Sequence, residues 1–181
     1  MHICDLKYYK YKIGGFNLPD FIEHMLKPIY RKDSKVLILG TMPSPKSRES
    51  GFYYSHPQNR FWPVLTEILS EKLPTTNEEK ELFLYRNRIA LWDVLKSCEI
   101  VGAGDSTIKN PTVNDISLIL KEADIKAVFT TGKKAKELYD KYCYKDTKMQ
   151  ACYLPSSSAA NCRNYNFESL ADSYRVILNY L

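Results

Sequence analysis

The run KVLIL at residues 35–39, closed by Gly40, constrains the architecture of this chain more than any other stretch. A short β-branched apolar run without polar alternation is a strand buried on both faces, and such strands belong to parallel sheets covered by helices. Similar runs recur at residues 89–92 (IALW), 127–131 (AVFTT) and 149–154 (MQACYL). Between them the pattern changes to helical. In residues 60–71 (RFWPVLTEILSE), Val64, Leu65, Ile68 and Leu69 repeat at helical spacing, with Pro63 near the start. Asn77 is the expected N-cap of a helix over 78–85, and Asn114 of one over 115–122. Gly132 turns the third strand into a helix over 133–141, and residues 167–181 form a closing helix. This alternation predicts an α/β fold, a three-layer α/β/α sandwich around a central, mainly parallel sheet of about four strands.

In such sheets ligands bind beyond the carboxyl ends of the strands. Three loops leave those ends, at 41–59, 132–134 and 155–166, and the first is long enough to suggest a function. Residues 101–114 are Gly-rich and polar and read as a further loop. A chain of 181 residues fits one domain with a substantial core. The domain is expected over residues 31–181, with the Tyr- and Lys-rich residues 1–30 as an accessory segment.

No apolar run approaches the roughly 20 residues of a membrane span, and the N-terminus lacks a signal-peptide pattern, so a cytoplasmic protein without membrane attachment is expected. The five cysteines form no C-x-x-C pair and the three histidines are scattered, which argues against a disulfide framework or a metal site. The net charge of +5 suits a polyanionic partner without requiring one.

Four motifs occur in order: GTMPSPKSRESGFYYSHPQNRFW (residues 40–62), LWDVLKSCE (91–99), DSTIKNP (105–111) and LPSSSAAN (154–161). From about residue 28 onward the chain resembles the uracil-DNA glycosylase superfamily, above all its hypoxanthine-removing branch, and is similar to the mismatch-specific uracil/thymine DNA glycosylases. The resemblance implies a monofunctional DNA glycosylase, without cofactor, that hydrolyses the N-glycosidic bond of a flipped deaminated base. Hypoxanthine is the first expected base and uracil the second. The expected partner is double-stranded DNA carrying such a base, with single-stranded DNA as a further substrate, and the protein is expected to be a monomer.

The residue types suit that task. Tyr54 matches the family's stacking aromatic, and Phe52 and Tyr53 are neighbours able to share its role. Gly40, Thr41 and Met42 are expected to border the base. Many relatives carry Asp or Asn where this chain has Met42, and a thioether cannot orient water. The resemblance therefore moves the catalytic role to Asn59, expected to position the water and to stabilise the oxocarbenium-like sugar by its dipole. Asn59 equally suits the N-cap of the helix that follows. His56 is expected to bracket that helix start and support the site from behind.

Ser44, Ser47, Ser156, Ser157, Ser158 and Lys133 are the expected phosphate contacts. Ala159 and Ala160 are too small for the wedge that relatives insert into the vacated stack, which leaves Asn161 or Arg163. Asp93 reads as a structural carboxylate, and Asp105 and Asn110 as shaping the base pocket. Two other functions compete. One is a nucleic-acid-binding protein of the same fold that has lost turnover, consistent with Met42. The other is a serine hydrolase using Ser156, Ser157 or Ser158, opposed by the lack of a G-x-S-x-G elbow.

Overall fold

The computed structural model describes residues 19–102 and 104–181, together with the backbone of two short antiparallel strands, β1 (Lys12–Ile13) and β2 (Phe16–Asn17). The rest of the expected accessory segment lies outside the described residues.

The predicted parallel sheet is present, in the order β5 (Ile89–Asp93), β4 (Val36–Gly40), β8 (Ala127–Thr131), β9 (Ala151–Leu154). Val36, Leu37, Ile38 and Leu39 are all 0% exposed, which is why they can be apolar without alternation. Helices flank the sheet. Helix α2 (Phe61–Leu69) packs against α7 (Phe167–Tyr174), α3 (Asn77–Arg86) lies on β5, and α5 (Lys133–Leu138) lies on β8 and β9. Helix α5 runs on through a π-turn, Tyr139–Cys143, into α6 (Tyr144–Thr147).

A second, antiparallel sheet was not expected. It joins β3 (Asp20–Glu23), β6 (Leu95–Ile100) and β7 (Lys109–Val113). Strand β6 is interrupted by register shifts between Leu95 and Ser97 and between Ser97 and Glu99, which scramble its alternation. Strand β7 carries Pro111, which has no N–H to donate and confines the segment to an edge. Residues 101–114 are therefore only partly the loop that their composition suggested.

Three local expectations shift. Thr76, not Asn77, caps α3 through a reciprocal capping box with Glu79. Asn114 does not cap α4 (Ser117–Glu122): it is buried and donates to the backbone oxygens of Asp93 and Leu95 at 3.0 Å, while Asp115 accepts from Ser117 N. Within the long first loop, Ser44 caps a short helix α1 (Pro45–Ser50), closed by Gly51 at φ 68°.

Candidate active site

A cavity of about 480 Å³ opens at the carboxyl ends of β4, β5 and β8. Gly40 and Asp93 end their strands side by side, and Thr131 ends β8. A Cβ on Gly40 would stand 2.1 Å from Oδ1 of Asp93 and 3.1 Å from the Tyr54 hydroxyl. Only glycine lets these two side chains close over the strand end.

Tyr54 has a left-handed backbone, φ 52°, unusual for an aromatic residue. Two contacts hold it there. Its ring stacks on Phe61 at 3.8 Å between centroids and 10° between planes, and its hydroxyl shares a 2.9 Å hydrogen bond with Thr131 Oγ1. Burial, then the nearby Asp93, push its phenol well above the ordinary range, so it stays neutral. Phe61 starts α2 and is itself 0% exposed, so one face of Tyr54 is backed by the core while the residue lines the cavity.

Asn59 also lines the cavity. Its Oδ1 accepts from Phe61 N and from Ser157 Oγ, each at 2.9 Å. The backbone N–H donor fixes which end of the amide is oxygen. Asn59 is not the expected N-cap, since Arg60 holds that place without a side-chain cap bond; the bond from Phe61 N is a side-chain turn leading into α2, and both lone pairs of Oδ1 are engaged. Nδ2 makes no hydrogen bond among the described residues, so the donor end of the carboxamide is what remains. The expectation that its dipole stabilises a cationic sugar is corrected accordingly: the end left over is positive.

Ser157 is corrected as well. It is 1% exposed, and its hydroxyl serves Asn59 rather than the surface. Ser156 Oγ accepts from Ser158 N, and Ser158 Oγ accepts from Ala160 N. Both line the cavity, as do Thr41 and Met42. Arg60, to which the sequence assigned nothing, fastens this loop to α2: its guanidinium donates to the carbonyls of Tyr165 and Ser158, and its backbone N–H donates to that of Ser157.

Phe52 does not line the cavity, against expectation. It is buried between Tyr53 and Trp62, where the Lys80 ammonium lies over its ring. Tyr53 reaches the cavity wall, but its hydroxyl donates to the backbone oxygens of Leu26 and Lys27. Ser44 and Ser47 line the cavity and bond one another at 3.1 Å; Ser47 is 2% exposed and accepts from Ser55 N, so its hydroxyl orders the loop. Lys133 is exposed at the start of α5 and does not line the cavity. His56 is exposed and does not line the cavity; it accepts from Gln58 N and receives Asn59 N–H on its carbonyl. Of the two wedge candidates, Asn161 is tied to Ser156 O, and Arg163 is exposed. Asn110 lies outside the cavity and donates to Glu99.

Two carboxylates join the site more closely than the sequence suggested. Asp93 is 3% exposed and receives a 2.9 Å hydrogen bond from His24 Nε2. Burial raises its pKa, and His24 opposes that rise. Asp105 accepts from Thr41 Oγ1 at 3.2 Å, and its pKa is raised by desolvation within the cleft and by Asp93. Among the described residues no group of three or more His, Cys, Asp or Glu side chains is placed to hold a metal, and no helix is long and apolar enough to cross a membrane.

The model of the uracil DNA glycosylase superfamily matches residues 28–181. The chain belongs to that superfamily. As a member it is a DNA glycosylase, an enzyme whose substrate is DNA. It is 36% identical over 139 residues to a hypoxanthine DNA glycosylase of Methanosarcina barkeri, covering 76% of this chain and 87% of that one. It is 37% identical over 135 residues to a hypoxanthine DNA glycosylase of Methanosarcina acetivorans, covering 73% and 84%. The solution NMR structure of a Methanosarcina acetivorans protein, described as a candidate uracil DNA glycosylase, superimposes with a TM-score of 0.73 at 30% identity, over 88% of this chain and 99% of that one. The superfamily match starts after His24, so the side chain that bonds Asp93 behind the cavity wall comes from outside the matched region.

Proposed function

We propose that this DNA glycosylase is monofunctional and removes a flipped deaminated base, hypoxanthine in preference to uracil, from double-stranded DNA. The observation that carries the reading is the pairing, in one strand-end cavity, of a core-backed Tyr54 ring with a carboxamide, Asn59, locked from behind. Extruding the nucleotide costs a few kcal/mol. Stacking on the remaining face of Tyr54 returns about 1 to 3 kcal/mol of that.

Asn59 is the catalytic residue. It holds the attacking water by donating Nδ2–H to the water oxygen, and the positive end of its dipole faces the charge that develops on the departing base. In their ionised forms Asp93 and Asp105 favour the cationic sugar, in a cavity that Arg48 also lines. Water adds at the anomeric carbon as the electron pair of the glycosidic bond leaves with the base; the proton that the added water sheds passes through solvent to the departing base, and an abasic site remains. No lysine lines the cavity among the described residues, in keeping with hydrolysis without strand cleavage. Exposed Lys133, together with Ser156 and Ser158 at the rim, meets the flanking phosphates.

Asp93 separates each deaminated base from its own parent. Hypoxanthine and uracil carry a ring N–H where adenine and cytosine carry a lone pair, and a carboxylate can only accept. It binds the first pair and repels the second. The names of the two curated relatives support hypoxanthine as the first choice.

The test is a panel of duplexes carrying inosine, uracil, xanthine or a G·T mismatch, assayed with wild type and Asn59→Ala. Release of hypoxanthine fastest, and its loss in the variant, is the expected result. Binding without base release under single-turnover conditions would overturn the reading.

A further inference from the structure

We propose that His24 is a positioning residue for the base pocket, presenting Asp93 to the substrate as an acceptor. The inference rests on the reading of Asp93 given above. Leu26 N–H donates to His24 Nδ1 at 3.2 Å. An imidazole that accepts at Nδ1 carries its proton on Nε2, so Nε2–H donates to Asp93 Oδ2 and not the reverse. That bond occupies one oxygen and leaves Oδ1, which lies against Gly40 on the cavity wall.

The donor is fixed in place. The His24 side chain is 1% exposed and that of Asp93 5%. The backbone N–H of His24 donates to Lys96 O at 2.7 Å, extending the pairing of β3 with β6, and five residues later Ile29 exchanges two hydrogen bonds with Leu91 of β5. Between these anchors Tyr53 holds the carbonyls of Leu26 and Lys27. The segment is thus tied to both sheets and to the aromatic loop, although the superfamily match begins only at residue 28.

The titratable groups around Asp93 are His24, Tyr53, Tyr54 and Asp105, and the cations on the same site are Arg48, which lines the cavity, and Lys134, whose charge reaches Asp105. Burial drives the Asp93 carboxyl toward its neutral form, and His24 opposes burial. Without the imidazole, Asp93 takes up a proton at higher pH and turns from acceptor into donor. A donor confronts the ring N–H of a deaminated base and suits the bare nitrogen of the parent base.

The experiment is single-turnover release of hypoxanthine from an inosine duplex as a function of pH, with duplex binding measured alongside, for wild type, His24→Leu, His24→Gln and Asp93→Asn. His24→Leu is expected to lose about 10- to 100-fold in rate near neutrality, the range for losing a hydrogen bond to a charged group, and to shift the acidic limb of its profile to higher pH. His24→Gln keeps an N–H donor and restores most of the rate. Loss in Asp93→Asn alongside an unchanged rate and limb in His24→Leu overturns the role of His24 alone. So does a loss in His24→Leu that is uniform with pH and not rescued by glutamine, since that marks a merely structural residue. A wild-type rate in Asp93→Asn overturns the acceptor reading itself, and the inference with it.

Discussion

Oδ1 of Asp93 stands 2.1 Å from where a Cβ on Gly40 would be, so two strands that end in register share one atom-sized gap. Their parallel pairing sets the gap, and the buried carboxylate fills it. Gly40→Ala must push Asp93 off the wall of the cavity or distort the strand end. The expected cost is about 1 to 3 kcal/mol of stability, as for other overpacked sites, with a fall of at least about tenfold in kcat/KM on an inosine duplex. Thermal unfolding and single-turnover excision of the same variant check both. A Gly40→Ala enzyme with wild-type Tm and rate would mean that the strand end is looser than the structure has it.

The side-chain oxygen of Asn59 ties the start of α2 to Ser157 while its amino group is left without a hydrogen bond among the described residues, and two substitutions separate the roles. Asn59→Ala removes both, and is expected to lose about 1 to 3 kcal/mol of stability, the range for leaving buried partners unpaired, together with at least about 100-fold in rate. Asn59→Asp keeps an oxygen for Phe61 N and Ser157 Oγ but has no donor to present. It is expected to hold the wild-type Tm within a degree or so on the usual scaling of stability with Tm, and to be nearly as slow as the alanine variant. Retained excision by Asn59→Asp, with its Tm also retained, would show that the donor end of the carboxamide is not what the reaction uses.

How legible these arrangements were depends on the range of the interaction. The parallel sheet could be read because strands buried on both faces write themselves as apolar runs, as β4 and β8 do. Asn59 and Tyr54 could be named because their motif is contiguous, and the structure brings both to one cavity with Gly40, Thr41 and Met42. The antiparallel sheet was hidden by the bulges of β6 and by Pro111 in β7. The tasks of Ser157 and Arg60 were hidden for another reason: each bonds a partner about a hundred residues away, and no local pattern records such a pairing. His24 is the extreme case. Alone in a Tyr- and Lys-rich segment it has no motif, and only the pairing of β3 with β6 carries it to Asp93. Phe52 erred in the opposite direction, since an aromatic beside the stacking ring looks the same in sequence whether it turns to the cavity or to the core.

Asp93 also ties stability to pH, and the sign follows from its burial. Its folded pKa lies above the ordinary value of 3.8, because desolvation outweighs the hydrogen bond from His24. The native state therefore binds the proton more readily than the unfolded chain does. The stabilising contribution is fully present below the unfolded pKa and is lost as pH rises through the folded one. Above the folded pKa the ionised group carries a net cost to folding. Asp93→Asn removes the charge and keeps the shape. The variant is expected to be at least as stable as wild type near neutrality, with its advantage shrinking as pH falls through the window between the two pKa values. Thermal unfolding of both proteins along a pH series measures the difference directly, free of the acid denaturation they share. An advantage that stays constant with pH, or one that grows in acid, would mean that Asp93 is not held with a raised pKa and that His24 compensates its burial in full.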